Sequence, residues 1–361
     1  MHTFLLMLAT ALPAAGDKNP PRANTLTPQE IADGWVLLFD GETTYGWKAA
    51  GDVQVKDGRL VLGGAKESLL TCTAAFVDYD LSFEFLTEGK GAFRPGWRAQ
   101  GRTSVQKMHI NGPWARFVLR VRGSEEREEY EYTFPGVGGG GSSRGNPVGQ
   151  PKPWGASQVL LGTEAGGKVS LRNVKLRPIG LKSIFNGKDL TGWKEIPGKK
   201  SKFTVTKEGW LNVKDGPGDL QTAATWGDFV LQLDCISNGK HLNSSVFFRS
   251  VPGQFWSGYE AQIRNQWQGD RKRPVDFGTG GLYGRQPARK VVSIDKEWFT
   301  MTVVAHGKHI AIWVNGYQTV DFTDDRKGAR TDPGPISIQG HDPTTDLSFR
   351  NLRVAELPKE K

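Results

Sequence analysis

Apolar and polar residues alternate with a period of two through much of this chain. DYDLSFEF (Asp78 to Phe85), DFVLQLDC (Asp228 to Cys235) and HIAIWVNGYQTVDF (His309 to Phe322) all follow it, the signature of strands with one face on a core. In the last of these, Asn315-Gly316 is the strongest short hairpin signal a sequence can carry. A long amphipathic helical period is absent. The one helix predicted is short: in LTPQEIADGW, Thr27 can cap, Pro28 suits a first turn and Glu30 can reach back to the cap amide. With 46 Gly, 20 Pro, 12 Trp and 18 Phe in 361 residues, the composition is also that of a turn-rich, aromatic-heavy β protein. The chain reads as all-β.

The strand pattern occurs twice. Phe39-Asp40-Gly41 and Gly46-Trp47 recur as Phe185-Asn186-Gly187 and Gly192-Trp193, and VSLRNVKLRPI (Val169 to Ile179) is answered by DLSFRNLRVAEL (Asp346 to Leu357). Two repeat units follow, residues 31–180 and 181–358, each expected to be a β-sandwich, with so little linker at Gly180 that they should pack on one another. Aligning Asp78 with Asp228 and Trp114 with Trp298 leaves the second unit 34 residues longer between these anchors. Strands and loops that face a ligand can be shortened where nothing need be bound. The second unit is therefore expected to carry a site and the first to be a structural partner, its VGGGGSSRGN (Val137 to Asn146) a flexible loop.

The formal charge of +9 would suit an anionic partner, but the basic residues are scattered, apart from GKKSK (Gly198 to Lys202) and RKR (Arg271 to Arg273). That is a solvated surface, and nucleic acid is not expected. Residues 1–16, MHTFLLMLATALPAAG, combine an apolar run with small residues near its end, predicting a signal peptide and a secreted or periplasmic protein. No later stretch approaches a membrane span. Cys72 and Cys235 lie in strand-like runs of different units and are expected to be buried free thiols.

The candidate chemistry sits in FRSVPGQFWSGYEAQIRNQW (Phe248 to Trp267) and GTGGLYG (Gly278 to Gly284). Alternation through YEAQI sets Glu260 and Gln262 side by side on one strand face, opposite Tyr259 and Ala261; in NSSVFFRS it sets Ser245 and Arg249 together. If these are neighbouring strands, Arg249, Glu260 and Gln262 share a concave polar face. Trp256, Trp267 and Tyr283 supply aromatic walls for it, and Gly280-Gly281 implies a close backbone approach.

FNGKDLTGWK, NSSVFFRS with WSGYEAQI, GGLYG, IWVNG and the closing FRNLRV occur here in the order seen in one group of proteins. The second unit resembles the DUF1080, or 3-keto-disaccharide hydrolase, domain over essentially all of residues 181–358, and the first looks like a degenerate copy. The resemblance implies two tandem concanavalin A-like jelly-roll sandwiches. It implies a 3-keto-glycoside (an oxidised di- or oligosaccharide or glycoside) as substrate, acted on as a lyase, hydratase or net hydrolase. A ketone at C3 acidifies the hydrogen on C2, so a base can remove it and the C1 substituent can leave; water can then add to the enone. For that reaction Glu260 is the expected base, Tyr283 the proton donor and Arg249 the group holding an enediolate oxygen. Gln262, Asn243, Asn265 and Ser245 would orient hydroxyls, beside Trp256 and Trp267. His341, in IQGHDP, is a candidate to hold a divalent ion with Glu260, and His241 a weaker one. His306 and His309 are expected to face solvent, and His109 to have no role. A non-catalytic carbohydrate-binding sandwich using the same face is the alternative.

Overall fold

The structure, a computed structural model, describes residues 22–99, 102–110, 112–125, 127–135, 138–145 and 155–358. The predicted leader lies outside the described residues.

The helix α1 (Pro28–Ala32) forms as its sequence predicts, with Thr27 and Glu30 closing a reciprocal capping box. Thirteen strands follow in the first half: β1 (Val36–Leu37), β2 (Trp47–Ala50), β3 (Val53–Lys56), β4 (Arg59–Gly63), β5 (Ser68–Phe76), β6 (Asp78–Gly89), β7 (Phe93–Ala99), β8 (Arg102–Val105), β9 (Ala115–Arg122), β10 (Arg127–Thr133), β11 (Gly140–Gly145), β12 (Ser157–Thr163) and β13 (Gly167–Pro178). The second half repeats the series: β14 (Lys182–Ser183), β15 (Trp193–Glu195), β16 (Lys202–Val205), β17 (Leu211–Lys214), β18 (Gly218–Thr222), β19 (Phe229–Ser237), β20 (Ser244–Phe248), β21 (Tyr259–Ile263), β22 (Phe299–His306), β23 (His309–Val314), β24 (Tyr317–Thr323), β25 (Ser337–Gly340) and β26 (Asp346–Glu356).

Each half is two antiparallel sheets face to face. The first has an eight-stranded sheet, β11-β10-β9-β6-β13-β4-β3 with β1 on β13, and a five-stranded sheet, β2-β5-β12-β7-β8. The second has β16-β17-β26-β19-β22-β23-β24 with β14 on β26, and β15-β18-β25-β20-β21. The two orders coincide strand for strand, so the fold is two tandem jelly-roll sandwiches of one topology. Each strand of the second sandwich has its counterpart in the first.

The repeated motifs have repeated tasks. Trp47 and Trp193 are buried and donate their indole N–H to the carbonyls of Leu38 and Ile184. Arg172 lies 4.2 Å from the centre of the Trp114 ring and pairs with Glu84, while Arg350 lies 4.0 Å from Trp298 and pairs with Asp234. Asn315 and Gly316 have φ of 49° and 77°, as a tight hairpin between β23 and β24 demands. Both cysteines are buried free thiols. The glycine-rich segment departs from expectation, because residues 140–145 form the edge strand β11 on β10. Gly141 has no room for a side chain against the Tyr132 ring, so the aromatic covers the bare edge.

The halves pack asymmetrically. The outer face of the second eight-stranded sheet presents Val230, Val304, Ala311 and Trp313, all buried within the first sandwich's core cluster. Trp313 is 1% exposed and donates to the Leu37 carbonyl at 2.9 Å; Gln232 donates to Gly34 O at 2.8 Å. The hydroxyl of Thr73, on β5, donates to Asp321 at 2.7 Å, and that carboxylate is also 2.8 Å from Nε2 of His309. His309 is thus held at the junction instead of facing solvent.

Candidate functional site

Strands β18, β25, β20 and β21 lie side by side in the second five-stranded sheet. Leu220, Ile338, Val246 and Ala261 turn into the core. Strand alternation therefore turns their neighbours outward, and the pairing sets these in rows. One row runs Gln221, Ser337, Phe247 and Glu260; the next runs Asp219, Gln339, Ser245 and Gln262. Tyr283 extends the first row, because residues 280–283 run beside β21. Tyr283 N donates to Glu260 O at 2.9 Å, Gln262 N to Gly281 O at 2.9 Å, and Gly280 N to Gln262 O at 2.8 Å. The glycine pair does meet a close backbone approach, within its own turn: a Cβ on Gly281 would stand 2.3 Å from the carbonyl oxygen of Phe277.

The side chains form a connected polar surface. Ser245 donates to Gln339 Oε1 at 3.0 Å, Gln262 to Asp276 Oδ2 at 3.1 Å, and Asn243 to the same oxygen at 3.1 Å. Nδ2 of Asn243 also lies 3.2 Å from Nε2 of His341, whose Nδ1 is 2.9 Å from Asp342. That pattern is met when Nδ1 carries the proton. The His341 ring stacks on Trp256 at 5.5 Å and 10°, and Trp256 stacks in turn on Phe255. Trp256 remains 39% exposed, forming one wall, and Tyr283, packed on Phe277, forms another.

Two carboxyls on this face are shifted. Burial pushes Glu260 up to about 7, with the negative charges of Asp276 and Asp219 acting the same way and hydrogen bonds from Ser245 and Gln339 opposing. Burial likewise raises Asp219 to about 6, against the Trp256 amide and the charge of Lys199. Asp219 Oδ1, Asn243 Oδ1, Gln262 Oε1 and Ser337 Oγ are buried without a hydrogen-bond partner in the protein. Four such atoms on one face form a constellation that a bound polar molecule can complete.

Several expected residues stand elsewhere. Arg249 has φ of 50°, which ends the strand alternation and swings its side chain away from Glu260. Its buried guanidinium donates to the carbonyls of Gly227, Gly307 and Arg330 and pairs with Asp228 at 2.8 Å, so it ties loops together. Asn265 is buried inside the loop after β21, where its Oδ1 accepts from Thr279 and Ser293. Trp267 lies under Arg271 at 4.5 Å on the hairpin of residues 266–275. His241 is fixed through its backbone amide, which donates to Asp295 at 2.8 Å.

A divalent ion on His341 and Glu260 does not fit this donor set. Both nitrogens of His341 already have partners, and among the described residues no group of three His, Cys, Asp or Glu side chains is placed to hold a metal.

Sequence reasoning missed Asp219, Gln221, Asp276, Ser337 and Gln339. Parity within GDLQT and SIQG would have put Asp219 with Gln221 and Ser337 with Gln339, but nothing local says that strands so far apart in sequence are neighbours. In the first sandwich the equivalent strands β7 and β8 offer Arg94, Gly96, Arg98, Thr103 and Val105 on this face, with no carboxylate among them.

A family model described as a 3-keto-alpha-glucoside-1,2-lyase-like domain matches residues 34–125 and 180–355. A crystal structure of a "putative glycosyl hydrolase" from Parabacteroides distasonis ATCC 8503 is similar at 22% identity and a TM-score of 0.41, covering 50% of this chain and 94% of that one. The carbohydrate binding module CBM66 from Bacillus subtilis is similar at 17% identity and a TM-score of 0.36, covering 46% and 96%. Lectin II from Ulex europaeus follows at 10% and 0.29, covering 37% and 93%. No curated protein matches. With both sandwiches matched, the chain belongs to the 3-keto-alpha-glucoside-1,2-lyase-like domain family.

Proposed function

We propose that the second sandwich is an enzyme for 3-keto-glycosides, acting by proton abstraction at C2 and elimination at C1. The family makes the chain a carbohydrate-active or carbohydrate-binding protein. The observation that favours catalysis is Glu260: a carboxyl brought to about 7 by burial on an otherwise polar face is poised to accept and return a proton near neutral pH. A group that only bound hydroxyls would not need that poise.

In this reading the Glu260 carboxylate takes the C2 hydrogen as a proton, and the electron pair delocalises onto the C3 oxygen. Ser337 Oγ, buried and without a partner, and the Gln339 amide are the neighbouring donors for that oxygen. As the C1–O bond breaks, Tyr283, the cross-strand neighbour of Glu260, supplies the proton that the leaving oxygen needs. Proton exchange between the protonated Glu260 and the Tyr283 phenolate then resets the site. Where hydration follows in place of that exchange, the Tyr283 phenolate takes a proton from a water whose oxygen adds to C1, and Glu260 returns its proton to C2. Gln262, Asn243 and Ser245 orient hydroxyls, and Trp256 is a stacking wall. The leader-like start, Phe4 to Leu12, supports an exported setting for this chemistry.

Incubation with 3-keto-trehalose and 3-keto-glucosides, followed by free aglycone and enone absorbance, tests the proposal. Glu260→Gln is expected to abolish turnover while retaining binding. Binding without turnover in the unaltered protein would instead leave a carbohydrate-binding sandwich, the function that the exposed Trp256 platform would serve alone.

A further inference from the structure

Tyr283 and residues 280–282 reach Glu260 from a long segment, 264–298, that has no strand of its own. What fixes this segment comes partly from the other sandwich. Arg289 passes between the halves and is gripped on several sides. Its Nη2 is 2.9 Å from Asp40 Oδ2, its Nη1 donates to Thr43 at 3.2 Å, and its guanidinium lies 3.9 Å from the Tyr45 ring centre and 4.9 Å from that of Tyr317. Side-chain exposure is 20% for Arg289 and 9% for Asp40, so this is a partly buried ion pair with a directional fork. Gln286 adds a second tether, donating to the Tyr45 hydroxyl at 2.8 Å. The carbonyl of Gln286 accepts from Leu282 N, and Leu282 precedes Tyr283, which is bonded to Glu260.

We infer that the loop Asp40–Tyr45 of the first sandwich is a positioning element for the site in the second, acting through Arg289 and Gln286 on residues 280–283, which run beside Glu260. This rests on the reading of Glu260 given above. It also explains a difference between the repeats. Asn186, the counterpart of Asp40, accepts from the amides of Lys188 and Asp189 just as Asp40 accepts from those of Glu42 and Thr43. The turn needs only the oxygen, and the charge at position 40 is what meets Arg289.

Asp40→Asn therefore keeps the turn and deletes the charge, and Arg289→Lys keeps a charge and deletes the fork. Both are made in the full chain and first melted, to establish that the fold persists. Amide exchange at Leu282 and Tyr283, which needs no substrate, is expected to accelerate by about tenfold. With 3-keto-trehalose as probe, kcat is expected to fall by about ten- to a hundredfold while KM moves far less. Water admitted to Glu260 should also shift the acid limb of kcat/KM from about 7 toward the ordinary glutamate range, a change that mere loss of stability would not produce. Unchanged exchange in both variants overturns the inference, and so does faster exchange with kcat and the acid limb unmoved. If Glu260→Gln retained turnover, the reading of the site would fail instead, and the exchange data would still report on the clamp.

Discussion

At the scale of single residues, the same property that suits Glu260 to proton transfer makes it a cost to the fold. Its ordinary value of 4.5 is raised to about 7, so between those values the folded chain holds a proton that the unfolded chain releases. Stability carried by this residue is therefore greatest below about 4.5 and declines as pH rises through 7. Glu260→Gln removes the titration, and thermal unfolding should show the variant more stable than the parent by about 2–3 kcal/mol at pH 8, with the gap closing at pH 4.5. A constant gap across that range would mean that Glu260 is not burdened as described. Catalysis runs the other way, since only the ionised form is a base: kcat/KM should drop about tenfold for each pH unit below 7. The parity of Glu260 and Gln262 was legible in YEAQI because a strand period fixes the face. The place of Arg249 was not, because one left-handed residue at the strand end reverses the side chain and no sequence rule marks an arginine for that conformation.

At the scale of elements, the signals that held were those with a local cause: the capping box, the Asn-Gly hairpin, the alternating strands and the recurrent Trp and Arg positions. What was not legible was which strands lie side by side, since β18 and β25 meet across more than a hundred residues and bring Asp219 beside Gln339. The segment 264–298 shows the same limit. Its length advertised a site, yet Trp267 and Asn265 serve the segment's own packing, while Asp276 and residues 280–283 reach β21. Gly281 is the tightest position of the turn that presents these residues, as the backbone of Phe277 rather than a movable side chain occupies the space for a Cβ. Gly281→Ala should accordingly destabilise the chain by about 1–3 kcal/mol and lower kcat by more than that loss explains, because Tyr283 and Glu260 move apart. The comparison to make is kcat well below the melting transition, where the folded fraction of both proteins is complete.

At the scale of the whole molecule, two copies of one topology have come to differ in which face they leave open. The outer face of the second eight-stranded sheet is buried against the first sandwich, while its five-stranded sheet keeps the polar rows that carry Glu260. The lack of a linker at Gly180 made packing between the units legible. The choice of faces was not, because Val230, Val304 and Ala311 in outward parity look like any other half-exposed strand positions until the first sandwich covers them. Trp313 is the critical case. It belongs by sequence to β23 of the second sandwich, yet its ring sits 6.3 Å from Phe76 inside the first sandwich's core cluster. A shared core side chain couples the two folding units, so calorimetry should show one cooperative transition for the parent protein. Trp313→Ala removes the shared ring at a cost of about 3–5 kcal/mol, and the transition should divide in two, the earlier one assigned by amide exchange to β5 and β6. Because Thr73, Arg289 and Trp313 all cross the same junction, the site should lose its turnover with the first of these transitions rather than the second. Activity that survived until the later transition would show the second sandwich working without its neighbour.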